Sequence, residues 1–293
     1  MKKNKKKVSI LIPTYNGVKY IKQSIDSCLN QTYKNIELII VDDCSIDDTE
    51  KIIKLYNDKR IRYFRHKENL GLASALNTGF ANATGIYLTW TSDDNFYDPK
   101  AIEFMVKILE KNSKIDFIYT NYYTINEQGE KVKPVRVGSV KDLDRCNCIG
   151  PCFLYRRKIY EEIGEYNPIF FLAEDYEYWL RIKQKFRMQR LDKFLYFYRK
   201  HTNSLTTNYK VAIIEEQVEK ASQKYVSLWA KYYHKGRVCL FNKDYKNSIK
   251  FFVKAFFLNP FNFFIWRMMV VSFLGILVPS FVENLKKSYN KKR

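Results

Sequence analysis

Two adjacent carboxylates, Asp93 and Asp94, follow a short apolar run, residues 85–90 (GIYLTW), that is typical of a buried strand. If the strand ends there, both carboxylates lie at its carboxyl end, where open α/β sheets gather their ligands. Paired carboxylates suit a hard divalent cation held against a diphosphate. The plainer interpretation is a solvated acidic turn, because Asp and Asn are common turn residues. The two carboxylates alone do not decide between these interpretations.

Four other segments place polar residues beside predicted strands or helices. Residues 8–16 (VSILIPTYN) predict a strand that ends in a turn, and residues 39–45 (IIVDDCS) predict a strand that ends in two carboxylates. Two neighbouring strand ends of this kind suit a nucleoside, because a carboxylate accepts hydrogen bonds from ribose hydroxyls or a base N–H. The remaining segments are residues 69–77 (NLGLASALN) and 172–179 (LAEDYEYW).

The phosphate-binding motifs of two common nucleotide-binding folds are missing from the sequence. No GxGxxG follows the first predicted strand, which disfavours a dinucleotide-dependent dehydrogenase. No GxxxxGK[ST] occurs, which excludes a P-loop protein. A diphosphate would need another source of positive charge, and a metal ion on Asp94 is the simplest one.

Short apolar runs alternate with amphipathic stretches through the first part of the chain. We predict strands at 8–12, 36–41, 60–64, 85–90 and 115–121, and helices at 17–30, 47–57, 70–83 and 99–111. Alternation at this spacing predicts right-handed βαβ crossovers and therefore a mainly parallel sheet.

The pattern changes after residue 121. We predict a hairpin from 122–125 and 131–137, extended segments at 153–156, 188–191 and 194–198, and helices at 157–163 and 174–185. These elements should complete the sheet and line the candidate ligand site. The resulting fold class is α/β, with a mixed, mainly parallel sheet over residues 8–206 and an all-α region over residues 207–293.

The all-α region contains one repeat-like pattern. Gly236, Tyr245, Ala255 and Asn259-Pro260 resemble a single tetratricopeptide-type helical hairpin, although such repeats need stacked neighbours. Downstream, the uninterrupted apolar stretch 268–282 is shorter than the roughly 20 residues that span a bilayer. Three interpretations stay open for it: a buried helix pair, a helix lying on an anionic membrane surface, and a membrane span.

The chain is basic, with 51 Lys and Arg against 31 Asp and Glu. This excess favours an anionic partner, such as a phosphorylated substrate, a nucleic acid or an acidic lipid surface. Residues 1–7 predict a basic tail, and residues 209–293 carry 16 Lys or Arg against 5 Asp or Glu. The six cysteines show neither the spacing of a disulfide framework nor the usual spacing of zinc ligands. No segment resembles a secretory signal, so we expect a cytoplasmic protein with reduced thiols.

The five polar segments, taken in order, resemble the family 2 glycosyltransferases with the Rossmann-like GT-A fold. The matching motifs are IPTYN, VDDxS, NxGxxxAxN, SDD and EDYxxW, and the resemblance covers about residues 8–205. It implies an inverting transfer of a sugar from a nucleotide-diphosphate sugar, usually UDP-linked, assisted by Mn²⁺ or Mg²⁺.

The resemblance implies a donor side that is built from the first four motifs. Its members are Pro13, Thr14, Tyr15, Asp42, Asp43, Asn69 and Asp93. Asp43 is expected at the uracil, Asp93 at the ribose or donor sugar, and Asp94 at the metal. The D-x-D form of the family motif would place a carboxylate at position 91, where this chain has Thr91, so the metal contact rests on Asp93 and Asp94.

The fifth motif supplies the implied general base. Asp175 would remove the proton of the acceptor hydroxyl in a single displacement. Its plainer interpretation is a carboxylate favoured by the dipole at a helix N-terminus. Glu174 and His201 are expected near the acceptor or a phosphate, although a lone histidine is more often structural.

The expected partners are a UDP-sugar donor, a saccharide or lipid-linked acceptor and the inner leaflet of the plasma membrane, and no nucleic acid is expected.

One alternative function is a degenerate transferase fold without activity that binds nucleotide, lipid or nucleic acid; the retained carboxylates argue against it. Another alternative function is a nucleotidyltransferase. Such an enzyme usually needs a Gly-rich basic phosphate loop near the first strand, and the sequence has none there. The identities of the sugar, the acceptor and the oligomer are not readable from the sequence.

Overall fold

A computed structural model of the chain describes residues 6–202, 204–205, 209–280 and 282. Most of the predicted basic tail and the last basic cluster of the chain lie outside the described residues. The described chain divides into two compact units. The first comprises Met1–Leu143, Asn147–Pro168 and Arg181–His201, and the second comprises Asp144–Cys146, Ile169–Leu180 and Thr202–Arg293, in each case as far as the residues are described.

The first unit is built on one sheet, in which the described residues form nine strands. These are β1 Val8–Thr14, β2 Ile36–Asp42, β3 Ile61–Arg65, β4 Tyr87–Trp90, β5 Phe96–Tyr97, β6 Phe117–Ile125, β7 Lys131–Val135, β8 Phe153–Arg156 and β9 Met188–Arg199. Their order is β3-β2-β1-β4-β8-β6-β9-β5, with β7 paired to β6. The strands β3, β2, β1 and β4 are parallel to one another, as are β6 and β9, whereas β5, β7 and β8 pair antiparallel. The predicted mixed, mainly parallel sheet is therefore confirmed.

Ten α-helices are described in the two units together. They are α1 Ile21–Leu29, α2 Thr49–Lys54, α3 Leu72–Ala81, α4 Ala101–Lys111, α5 Arg157–Ile163, α6 Glu174–Lys185, α7 Val211–Ser222, α8 Leu228–Phe241, α9 Tyr245–Leu258 and α10 Phe263–Leu277. The predicted bounds of α5 and α6 are confirmed. The helix predicted from residue 17 begins later, because a turn follows Asn16, whose φ is 55°.

Two strand predictions needed correction. The extended segments predicted at 188–191 and 194–198 form the single strand β9, whose pairing with β6 is irregular near Asn121. The two-residue strand β5 was missed because so short a segment has no readable periodicity.

The carboxyl end of β1 is the switch point of the sheet. Strand β1 lies between β2 and β4, and all three run parallel. Every residue of β1 and β2 is buried, as expected for strands that are covered on both faces. Thr14 pairs with Asp42 across the two strands, and the segment after Trp90 leaves the sheet at the same edge. Open α/β sheets bind ligands at such an edge.

The second unit has a small aromatic core of its own. Tyr233, Phe252, Ala255 and Ile265 are buried together there. Helices α8 and α9 pack closely because position 236 is glycine: a Cβ there would lie 2.8 Å from the Phe252 ring. The likeness of this helix pair to a tetratricopeptide hairpin stays a prediction.

Helix α10 keeps one of its faces out of the core. Its buried residues are Ile265, Ser272 and Gly275, whereas Phe263 is 71% exposed. The outer face of α10 is therefore exposed among the described residues, and the buried-pair interpretation of the apolar stretch stays a prediction. Within the described part of the chain, no helix combines the length and apolar character needed to cross a bilayer.

His234 on α8 is buried in its neutral form. Its Nε2 lies 2.8 Å from the backbone oxygen of Asp144, so the Nε2–H tautomer donates there. The buried Nδ1 has no hydrogen-bond partner among the described residues. Burial lowers the pKa of His234 to about 4, because a proton on Nδ1 would be desolvated and unpaired.

We therefore predict acid-sensitive stability from His234. Between pH 6.5 and 4 the unfolded chain binds a proton at this residue and the folded chain does not, so stability falls as the pH falls, by roughly 3 kcal/mol at most. His234→Gln retains an N–H for Asp144 and should lose this part of the dependence. Urea unfolding of both proteins at pH 7 and 4.5 measures it, and an identical pH dependence in the variant would contradict the assignment.

Candidate active site

Asp93 is tied to the end of β1 across the switch point. Its Oδ2 accepts a hydrogen bond of 2.5 Å from Thr14 Oγ1. Gly17 permits this approach, because a Cβ at that position would overlap with both Asp93 Oδ2 and Thr14 Oγ1. The first and fourth sequence motifs therefore meet at one point, because β1 and β4 are neighbours in the sheet.

Asp94 has one oxygen engaged and one oxygen open. Its Oδ2 lies 2.9 Å from His201 Nε2, within hydrogen-bond distance. Its Oδ1 is buried and has no hydrogen-bond partner among the described residues. Buried carboxylate oxygens are normally satisfied, so Oδ1 is an acceptor that the described residues leave unused.

The closeness of the two carboxylates opposes their ionisation. Burial, followed by the negative charge of Asp94, raises the pKa of Asp93 to about 7. The hydrogen bond from Thr14 and the nearby His201 act in the opposite direction. A cation bound at this turn would favour the charged form of both carboxylates.

The residues after β4 fit a divalent cation that is shared with a ligand. Mg²⁺ in proteins is usually held by one or two carboxylates and completes its shell with substrate phosphates and water. Asp94 Oδ1 offers the open hard oxygen that such a site needs. The described residues contain no group of three or more His, Cys, Asp or Glu side chains arranged as a complete metal site. The remaining ligands would therefore come from a bound diphosphate and water.

Thr91 is a structural residue in this structure. It is fully buried, and its Oγ1 lies 2.6 Å from the hydroxyl of Tyr196. A carboxylate at this position would be desolvated in the sheet, so the departure from the D-x-D pattern agrees with its surroundings.

Asp42 is fully buried and serves to hold neighbouring segments together. Its Oδ1 accepts from the backbone N–H of Ser45 at 2.7 Å. Its Oδ2 accepts from Tyr63 at 2.9 Å and from Arg65 at 2.8 Å.

Asp43 is engaged in the same way. His66 Nδ1 lies 2.7 Å from its Oδ1, and the backbone N–H groups of Leu70 and Gly71 donate to its two oxygens at 2.9 and 2.7 Å. The second and third motifs are joined by these bonds. The predicted contact of Asp43 with uracil stays a prediction, and any such contact would use the lone pairs that these donors leave free.

The other predicted donor residues differ in exposure. Pro13 is buried in β1, where it pairs with Val41. Tyr15 is 48% exposed just beyond the strand, and Asn69 is exposed in the loop before α3. These positions leave Tyr15 and Asn69 accessible to a ligand at this edge.

Glu174 and Asp175 form the first turn of α6 in the second unit. Burial, followed by the charge of Asp175, raises the pKa of Glu174 to about 8. Asp175 Oδ1 accepts from the N–H of Tyr176 at 2.6 Å, and a carboxylate in this first turn is favoured by the helix dipole. The placement of Asp175 beside the Asp93–Asp94 turn stays a prediction.

Arg199 is a site residue that the sequence reasoning missed. It is 2% exposed at the end of β9 and donates from Nε to the backbone oxygen of Asp94 at 2.9 Å. Its Nη1 donates to the backbone oxygens of Asn126 and Glu127 at 3.0 and 2.7 Å, and its Nη2 donates to Gln23 Oε1. Its backbone N–H donates to Asn95 at 2.7 Å. Arg199 therefore fixes the turn that carries both carboxylates.

We predict that Arg199→Lys weakens ligand binding at this turn. Lysine cannot reproduce the planar fork of donors, so Asp94 should lose its fixed position. Arg156 provides a matched control, because it also donates to backbone oxygens, those of Ile115 and Leu109, at 2.9 and 2.5 Å. Both Lys variants should lose roughly 1–3 kcal/mol of stability. Isothermal titration with Mn²⁺ and UDP should show at least tenfold weaker binding for Arg199→Lys alone, and equal binding by both variants would contradict the role.

A Rossmann-like sheet with polar side chains converging at its switch point is typical of α/β proteins that bind nucleotides. The family model for glycosyl transferase family 2 matches residues 9–164, which is more than half of the chain. The chain belongs to this family.

Individual relatives agree with this assignment. An uncharacterized glycosyltransferase of Rickettsia felis is 41% identical over 188 residues, which cover 60% of this chain and 31% of the relative. An uncharacterized glycosyltransferase of Methanocaldococcus jannaschii is 31% identical over 204 residues, which cover 66% of this chain and 70% of the relative. The chain spans about a third of the length of the first curated relatives it matches.

Solved structures show the same fold. The crystal structure of S. aureus TarS 1–349 in complex with UDP-GlcNAc matches with a TM-score of 0.63 at 17% identity, over 91% of this chain and 79% of that one. The predicted GT-A fold is therefore confirmed.

Proposed function

We propose that the protein transfers a sugar from a nucleotide-diphosphate sugar, UDP-linked, to a hydroxyl group of a saccharide or lipid-linked acceptor, with inversion at the anomeric carbon. The observation that carries the proposal is the open, buried Oδ1 of Asp94 at the switch point of the sheet. Family membership supports the reaction class. The complex of the structural neighbour TarS with UDP-GlcNAc supports the donor class.

In the proposed reaction, Thr14 orients Asp93 and His201 orients Asp94 through the hydrogen bonds described above. Asp94 Oδ1 would hold Mn²⁺ or Mg²⁺, which when bound would supply positive charge opposite the diphosphate leaving group. The acceptor oxygen attacks the anomeric carbon from the face opposite the diphosphate. The C–O bond to the diphosphate breaks as the new glycosidic bond forms, which inverts the configuration.

The general base of the proposed reaction is Asp175. Burial, followed by the charge of Asp175, raises the pKa of Glu174 to about 8, which favours its protonated form and makes Asp175 the better proton acceptor of the two. Neighbouring carboxylates with different environments commonly divide acid and base roles in this way. The proton of the acceptor hydroxyl therefore passes to Asp175. We also propose that the protein carries out this reaction on the cytoplasmic side of the membrane.

We predict that Asp175→Asn and Asp94→Asn separate the two roles in an assay of UDP release from a panel of UDP-sugars. Asp175→Asn should lower kcat by roughly 10²–10⁴-fold and leave UDP binding intact, because it removes only proton transfer. Asp94→Asn should weaken the binding of Mn²⁺ and UDP together. Asp48→Asn, at the N-terminus of α2 and with a 65% exposed side chain, is the control and should match the parent protein.

The outcomes distinguish the candidate functions. Full activity in both Asp94→Asn and Asp175→Asn would overturn the site. Binding of UDP-sugars without any release of UDP, tested with an extract of candidate acceptors, would favour the degenerate, non-catalytic alternative. Activity that survives EDTA unchanged would remove the metal from the proposal.

A further inference from the structure

Helix α10 presents an apolar stripe to solvent. Phe263, Trp266, Val270, Phe273 and Leu277 follow one another at intervals of three and four residues, so they share one helical face. Their exposed fractions lie between 49% and 71%. Scattered exposed apolar residues are ordinary, but a continuous stripe of large ones marks an interaction surface.

The corner that joins α9 to α10 extends this apolar stripe. Phe257 is 77% exposed and Phe261 is 98% exposed. Trp266 packs against Phe256 with ring centroids 4.7 Å apart, and its Nε1–H donates to the backbone oxygen of Pro260 at 3.2 Å. The corner is therefore packed and hydrogen-bonded within the second unit, and it still exposes aromatic side chains.

The charges on these two helices have a single sign. Lys246, Lys250 and Lys254 are exposed at intervals of four residues along α9 and form a basic edge. Arg267 adds an exposed positive charge beside the apolar stripe. The sequence contains no Asp or Glu between residues 245 and 280.

We propose that the apolar stripe of α10 and the basic edge of α9 dock the protein on a membrane leaflet that contains anionic lipid. Aromatic and aliphatic side chains would enter the headgroup–acyl boundary while the lysines meet the lipid phosphates. A second copy of the chain is a poorer occupant, because pairing these faces would oppose like charges with no carboxylate to offset them. Nucleic acid is also poorer, because Val270 and Leu277 cannot stack on bases.

Flotation of the full chain with lipid vesicles tests this proposal. We expect binding to vesicles of phosphatidylcholine with phosphatidylglycerol, at least tenfold less binding to phosphatidylcholine alone, and weakening by salt. The double variant Phe263→Ser/Phe273→Ser should lower the partition of the protein onto the anionic vesicles at least tenfold. The double variant Lys250→Gln/Lys254→Gln should also lower this partition at least tenfold, since each lysine contributes about fivefold. All four side chains are exposed, so these variants should keep the fold.

Matched controls are available on the first unit. Ile46 and Leu55 are 85% and 82% exposed, so Ile46→Ser/Leu55→Ser removes comparable apolar surface. Lys107→Gln/Lys111→Gln removes two exposed lysines one helical turn apart on α4. Both controls should float like the parent protein.

Equal binding to neutral and anionic vesicles, or an equal loss of binding in the controls, would overturn the proposal. So would a dimer, detected by light scattering, that Phe263→Ser/Phe273→Ser dissociates while flotation is unchanged. Preferential binding of an oligonucleotide over anionic vesicles would overturn it as well. UDP release in the absence of vesicles is a separate readout, so failure here leaves the proposed reaction untouched.

Discussion

Repulsion between two neighbouring carboxylates is the constraint on which the rest of the site depends. Asp93 and Asp94 leave β4 together in a partly buried turn, where burial, followed by the negative charge of Asp94, raises the pKa of Asp93 to about 7. The protein opposes this repulsion only in part, through Thr14 on one carboxylate and His201 on the other. In the proposed reaction, a cation at the open oxygen of Asp94 would offset the repulsion that remains.

The other carboxylates at the same sheet edge are nearly saturated by the protein. Asp42 and Asp43 accept six hydrogen bonds between them from residues of β3, the loops around it and the start of α3. These two residues therefore set the shape of the pocket edge, whereas the turn after β4 retains unused bonding capacity. This contrast separates residues that build the site from those that are available to a ligand.

The sequence predicted the sheet and the Asp93–Asp94 turn well, because buried parallel strands are apolar along their whole length and carboxylates at their ends stand out. Arg199 could not be found in this way: its partners are mainly backbone oxygens far away in the chain, which leave no mark on residue type. The contact of His66 with Asp43 spans 23 positions of the chain, so no local sequence pattern could reveal it. The exposed face of α10 was also unreadable, since a helix that is apolar all round does not reveal which side is covered.

The central proposal is that Asp94 Oδ1 would receive a cation when a nucleotide diphosphate binds. Anomalous diffraction from crystals grown with Mn²⁺ and UDP measures this directly. We expect one manganese peak at coordination distance from Asp94 Oδ1 and from the diphosphate oxygens, at the carboxyl ends of β1 and β4. A manganese–UDP complex bound elsewhere, or a diphosphate at this turn without metal, would contradict the account.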